Sequence, residues 1–201
     1  MPDSPATHRP ADERRAQLLD AAVDVLRERG LPGLTTRAVT TRAGVTHGIF
    51  HYVFGSKSAL VRALVERELT GAVAVWGAAV ATDDLETALR QAMHAQLDLV
   101  RADPDRHEVV TALIRAARDD AGASTAAWER RQYLDEIERR LASWSEQGRV
   151  TWDVPLPDVA ALVLSATDGV IQTWTLDHDD ARAESSLALL ARGLSTLAHP
   201  T

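Results

Sequence analysis

Apolar residues recur along the chain mostly at three- and four-residue intervals. Leu18, Leu19, Ala22, Val25 and Leu26 mark one face of a first helix. Gly30 stops it, and Pro32 and Gly33 reinforce the stop. Thr35 or Thr36 can cap a short second helix, Arg37 to Arg42. Ala43-Gly44-Val45 reads as a tight turn, and Thr46 as the cap of a third helix, His47 to Val53. Gly55-Ser56 breaks again, with Ser56 placed to cap a long helix from Lys57 to about Val80.

The rest of the chain repeats this period. Leu85, Leu89, Met93, Leu97 and Val100 form one stripe, and Val110, Leu113, Ile114 and Ala117 form another after Pro104. Residues 119–125 read as a polar loop. Leu134, Ile137, Leu141 and Trp144 define a helix that Gly148 ends, and residues 148–158 read as a loop with two prolines. The segment 159–176 is apolar almost all round, which predicts burial on most sides. Leu187, Leu190, Leu194 and Leu197 form the last stripe, and strand signals are weak throughout. The pattern predicts an all-α chain of about nine helices. It divides into an arm at 1–11 with three prolines, a three-helix unit at 12–57, and a larger helical part at 58–201.

Composition narrows the chemistry. A chain of 201 residues that is 45% hydrophobic can bury a sizeable core. With no cysteine, disulfides, thiolate metal sites and cysteine nucleophiles are excluded. No apolar run reads as a membrane span and the polar N-terminus has no secretory h-region, so the expected location is the cytoplasm. The net charge of −7 argues at first against a nucleic-acid partner. Its distribution reverses that reading: residues 1–57 hold eight basic and six acidic side chains, and residues 58–201 hold fourteen and twenty-three. A mildly basic head thus sits on a strongly acidic body, and Lys57, the one lysine, ends the head.

A short helix, a glycine turn and a second short helix make a helix-turn-helix, whose second helix can enter the DNA major groove. That helix reads His47-Gly48-Ile49-Phe50-His51-Tyr52-Val53 after Thr46. Phe50 and Phe54 suit the core. His47, Ile49 and His51 do not form an obvious core face, and imidazoles and an isoleucine can contact bases or phosphates. Lys57 falls in the first turn of a helix, where an anion would meet both its ammonium and free backbone N–H groups.

The stretch from Arg14 to Leu64 resembles the DNA-binding domain of the tetracycline-repressor (TetR) family. The matching residues are Leu18-Leu19-Asp20-Ala21-Ala22, Gly30, Thr35, Ala43-Gly44-Val45, Gly48, Phe54-Gly55-Ser56-Lys57 and Leu60. Asp168-Gly169 in the penultimate helix is a further pair often found in such proteins. The resemblance implies an N-terminal helix-turn-helix domain followed by a helical regulatory and dimerisation domain. It places Thr35, Thr36, Arg37 and Lys57 on phosphates, Thr46, His47, Gly48 and His51, with Ile49, on the bases, and Tyr52 on the backbone. The family usually has tyrosine at His51 and alanine at Thr40. It also implies a homodimer built from the last two helices, with a palindromic operator. The apolar 159–176 helix and the leucine-rich last stripe support pairing, with Val163, Val170, Ile171, Trp174, Leu187, Leu190 and Leu194 as the expected interface.

The resemblance further implies a small-molecule effector in the middle helices, with Trp76, His94, Leu97, Ile114, Trp128 and Thr173 as candidate lining. All five tryptophans fall outside the DNA-binding unit, where core packing competes with that role. No metal or cofactor is expected. His47 and His51 stand four apart but lack a third ligand, and Asp177-His178-Asp179-Asp180 reads as a solvated, capping turn. His107-Glu108 is expected at the surface. The expected function is a ligand-responsive, DNA-binding repressor. The alternatives are a helical adaptor without DNA binding or a small helical enzyme, although no nucleophile–base pair has a recognisable spacing.

Overall fold

The structure, a computed structural model, describes residues 11–78, 82, 84–117 and 124–201, and side chains other than those of 72–78. Among these residues it contains nine helices. They are α1 (Ala11–Gly33), α2 (Thr36–Ala43), α3 (His47–Val53), α4 (Lys57–Ala78), α5 (Leu85–Ala102), α6 (Pro104–Ala116), α7 (Thr125–Glu146), α8 (Leu156–Asp177) and α9 (Asp180–Ser195). The predicted period is therefore realised as helix after helix. The chain forms two compact units, one of Met1–Val65 with Asp105–Ala126, the other of Glu66–Pro104 with Ala127–Thr201.

Helix ends in the first unit follow local chemistry. Gly30 interrupts α1 with φ 63° and ψ −173°, a conformation reached almost only by glycine. Thr35 caps α2, its hydroxyl accepting from the Ala38 N–H at 3.1 Å, and Gly44 ends α2 in the left-handed region. Thr46 stands at the N-cap position of α3, yet its side chain makes no capping bond. Ser56 caps α4, accepting from the Ala59 N–H at 3.0 Å. Leu18, Ala22 and Leu26 of α1 pack with Val39, Phe50, Phe54, Leu60, Leu64 and Leu113 into one core. Thr40, unusual for its position, is buried there, and its hydroxyl donates to the Arg37 carbonyl at 3.0 Å. The buried polar group is thereby satisfied.

The second unit packs α5, α7, α8 and α9 around Met93, Leu97, Ile137, Val163 and Leu187, each with almost no exposure. Within the segment expected to be a loop, Val150–Trp152 forms strand β1, paired antiparallel with β2 (Ala198–Pro200). Three-residue strands are too short to print a period on the sequence. An ion-pair cluster ties α5 to α9: Arg101 reaches Glu184 at 2.8 Å and Asp180 at 2.7 Å, and His94 Nδ1 reaches Glu184 at 2.8 Å. Asp180 also accepts from the Trp174 indole N–H at 2.9 Å.

Helix α8 corrects the expectation of burial on most sides. Val159, Val163, Thr167, Ile171 and Trp174 face the core, while Leu162, Gly169, Thr173 and Leu176 are exposed. Its length and mean hydropathy of 1.3 would suffice to cross a membrane, a feature not anticipated from the sequence. Its buried face is instead part of a packed helical core.

Candidate nucleic-acid interface

Helices α2 and α3 stand on α1. Gln17 of α1 donates to the Ala43 carbonyl at 2.7 Å, tying the turn down. Arg42 of α2 pairs with Asp24 at 2.9 Å and Glu28 at 2.8 Å, both on α1. These pairs raise the Arg42 pKa and hold its guanidinium against α1. Phe50 is the inward anchor of α3 and has no exposed surface. With that one residue fixed, helical geometry turns the neighbouring positions outward. Thr46, His47, Gly48, His51 and Tyr52 are exposed, Tyr52 at 84%, and Ile49 is half-buried.

The two histidines of α3 interact. His51 Nε2 lies 3.0 Å from His47 Nε2, and His51 Nδ1 lies 2.9 Å from the Gly55 carbonyl oxygen. The rings meet edge to face, with centroids 4.6 Å apart. Around this helix, Thr35 and Arg37 are exposed and Thr36 is half-buried at the start of α2. Lys57 is exposed as the first residue of α4. The N–H groups of Lys57 and Ser58 precede the first bond of that helix, from Leu60 N–H to the Ser56 carbonyl. They point out of the helix end and can receive an anion. The residues expected on bases and phosphates thus all fall in the first unit, none of them in its core.

The other candidate residues are divided between the two units. Leu97 has no exposure in the core of the second unit, so it has no free surface for an effector. His94 is engaged by Glu184. Ile114 is buried in the first unit, Trp128 is half-buried in the second, and the Trp76 side chain lies outside the described residues. Thr173 is exposed and lines a groove of about 490 Å³ between α8 and α9. The interface expectation also needs correction. Val163 and Leu187 have no exposure, Leu194 has 2%, and Ile171 and Trp174 have 7% each. These five fill the chain's own core and have little surface left for a partner. Val170, Leu190 and an edge of Trp174 do line the groove, beside Ala166, Gly169 and Leu189. His107 is half-buried rather than at the surface; burial and the nearby Arg115 lower its pKa.

One polar feature of the second unit was missed from the sequence. Glu129 and Tyr133, one turn apart on α7, are half-buried. Burial, with the charge of Asp168 on α8 adding to it, pushes the Glu129 carboxyl up to about 7. Burial and then Glu129 raise the Tyr133 phenol as well. The i, i+4 spacing was visible in the sequence, but the approach of Asp168 was not.

Residues 18–64 match the family model described as bacterial regulatory proteins, tetR family. Among curated proteins, the HTH-type transcriptional regulator BetI of Burkholderia mallei (strain NCTC 10229) is 37% identical over 90 residues. That match covers 42% of this chain and 45% of BetI, so the chain spans less than half the length of this relative. BetI of Burkholderia cenocepacia (strain HI2424) is 36% identical over the same span. Among solved structures, a transcriptional regulator from Rhodococcus sp. Rha1 has a TM-score of 0.72 at 24% identity, covering 92% of this chain and 97% of that one. FadR from Bacillus subtilis, solved in complex with stearoyl-CoA, has 0.70 at 19%, covering 89% and 98%. SmeT, the repressor of the Stenotrophomonas maltophilia multidrug efflux pump SmeDEF, has 0.67 at 18%, covering 93% and 90%. At these identities the structural likeness concerns the fold.

Proposed function

We propose, from the premise that this chain belongs to the TetR family of bacterial regulatory proteins, that it is a cytoplasmic transcriptional repressor acting as a homodimer on a palindromic operator. The observation that carries the reading is the outward face of α3. A seven-residue helix anchored by Phe50, with Val53 packed beside it, presents Thr46, His47, Gly48, His51 and Tyr52 to solvent. Arg37 and Lys57 flank it and are available to phosphates. Base-edge contacts from such a helix supply sequence preference, and the flanking cations supply register and salt-dependent affinity.

The dimer would form through the outer face of α8 and α9. Leu162, Leu176 and Leu189 are 49%, 86% and 67% exposed there. Ala166, Gly169 and Gly193 carry little or no side chain on these helices, which lets a partner helix come close. Two-fold symmetry repeats each contact and separates the two α3 helices by about one DNA turn or more. A small-molecule effector would bind the second unit, and the polar group of Glu129, Tyr133 and Asp168 is our candidate for its recognition. It would act only through its differential affinity for DNA-competent and DNA-incompetent dimers.

Footprinting on the DNA around the encoding gene tests the reading. A protected two-fold-symmetric site that is released by high salt is expected. Protection of no site at low salt would leave the chain as a helical protein that does not bind DNA specifically.

A further inference from the structure

We propose that His51 is a positioning residue that fixes the tautomer of His47, and that His47 therefore reads its base as a hydrogen-bond acceptor. The inference rests on the proposed DNA-reading role of α3 and specifies what one of its side chains recognises.

The hydrogen positions follow from what each atom can do. A carbonyl oxygen only accepts, so His51 Nδ1, 2.9 Å from the Gly55 carbonyl, carries a hydrogen and donates it. In the neutral imidazole, Nε2 of the same ring is then a lone pair. That lone pair faces His47 Nε2 at 3.0 Å. Two lone pairs at this distance would repel, so His47 Nε2 carries a hydrogen and donates it to His51. The remaining nitrogen of neutral His47, Nδ1, is then an acceptor, and no side chain or backbone group among the described residues bonds it.

The chain Gly55 carbonyl, His51, His47 is thus a relay running along one side of α3. The direction of its first bond is imposed by the backbone, and each ring passes that direction to the next. His47 is the first residue of α3, the end that meets base edges in a helix-turn-helix. In the major groove an acceptor is matched by the amino groups of adenine N6 and cytosine N4. It is opposed by guanine N7 and O6 and by thymine O4. A histidine free to choose its tautomer would take guanine as readily, by donating. The selectivity against guanine therefore belongs to His51, which need not touch the base.

Two measurements decide the proposal, both on the full chain at about pH 8.5. The first is a two-bond ¹H–¹⁵N spectrum of histidine-labelled protein, assigned with His47→Gln and His51→Gln. It needs no DNA. It should show His51 protonated at Nδ1 and His47 at Nε2, and His51→Phe should return His47 to a mixture of tautomers. The second is binding to duplexes carrying each base at each operator position. The wild type should prefer adenine or cytosine over guanine by roughly fivefold or more at one position per half-site, and His51→Phe should bring guanine close to parity there. His51 protonated at Nε2, His47 protonated at Nδ1, or a guanine preference at the His47 position would overturn the proposal. An unchanged base preference in His51→Phe would overturn it too. Failure to bind any duplex specifically would instead refute the DNA-reading role itself, and the two failures are separable because the tautomers are read without DNA.

Discussion

Replacing Leu189 by alanine should convert the proposed dimer into a protein that is largely monomeric at low concentration. Leu189 is 67% exposed in the protomer and lines the α8–α9 groove. The substitution removes three carbons, worth about 0.8 kcal/mol each when fully buried. With two-thirds of the side chain left for a partner to cover, the loss is about 1.6 kcal/mol per copy. Two-fold symmetry counts it twice, giving about 3 kcal/mol, or a dissociation constant roughly 100-fold weaker. Sedimentation equilibrium over a concentration series measures this directly. The same substitution should leave the protomer itself intact, because an exposed side chain contributes within about 0.5 kcal/mol to folding. Leu187→Ala supplies the contrast. That residue has no exposure, and its truncation should cost about 2–5 kcal/mol of folding stability. A dissociation constant for Leu189→Ala within twofold of the wild type would refute the assignment of the α8–α9 outer face.

Three further outcomes are expected. Lys57→Ala should weaken binding to specific and nonspecific DNA alike and lower the slope of log affinity against log salt by about 0.9 per protomer, and filter-binding titrations in which that slope stayed the same would rule out the phosphate contact. Glu129 has an ordinary carboxyl value of 4.5 unfolded and about 7 folded, so the folded state holds the proton more tightly. The stabilising term is complete below about pH 4.5 and is lost as pH rises through 7, reaching up to about 3 kcal/mol at 1.36 kcal/mol per unit. Urea denaturation should therefore show Glu129→Gln gaining on the wild type between pH 5 and pH 8, and parallel pH profiles would contradict the burial of this carboxyl. Gly30→Ala should cost about 1–3 kcal/mol, since alanine avoids the φ 63°, ψ −173° conformation, and a thermal melt matching the wild type would show that the α1 interruption can relax.

The sequence carried the helical architecture because the helices show their period locally, and several show a stop or a cap as well. Gly30, Gly44 and Ser56 mark boundaries that the structure places within a residue or two. The outward face of α3 was legible for a similar reason: with Phe50 as the strong anchor, His47, His51 and Tyr52 fall on the exposed side of seven residues. What was illegible depended on contacts distant in sequence. The stripe containing Leu187 and Leu194 shows that one face is apolar, but not whether a neighbouring helix or a second copy covers it. The structure gives those residues to the protomer core and leaves Leu162, Leu176 and Leu189 outside. The effector residues were not legible as a set, because a pocket is a property of packed helices and not of any one of them. Leu97 lies on the α5 stripe and is buried in the core, whereas His94, one position past Met93, is half-buried and reaches Glu184 of α9. The β1–β2 pairing joins segments about 48 residues apart and left no local trace.

The central claim is that α3 reads base sequence. Its most direct test is fluorescence anisotropy comparing a two-fold-symmetric duplex, selected from random DNA by the protein, with a scrambled duplex of the same length at physiological salt. The selected duplex should bind about 1,000-fold tighter or more, with His47→Ala eroding that ratio while leaving the scrambled duplex unaffected. Equal affinity for the two duplexes would contradict it.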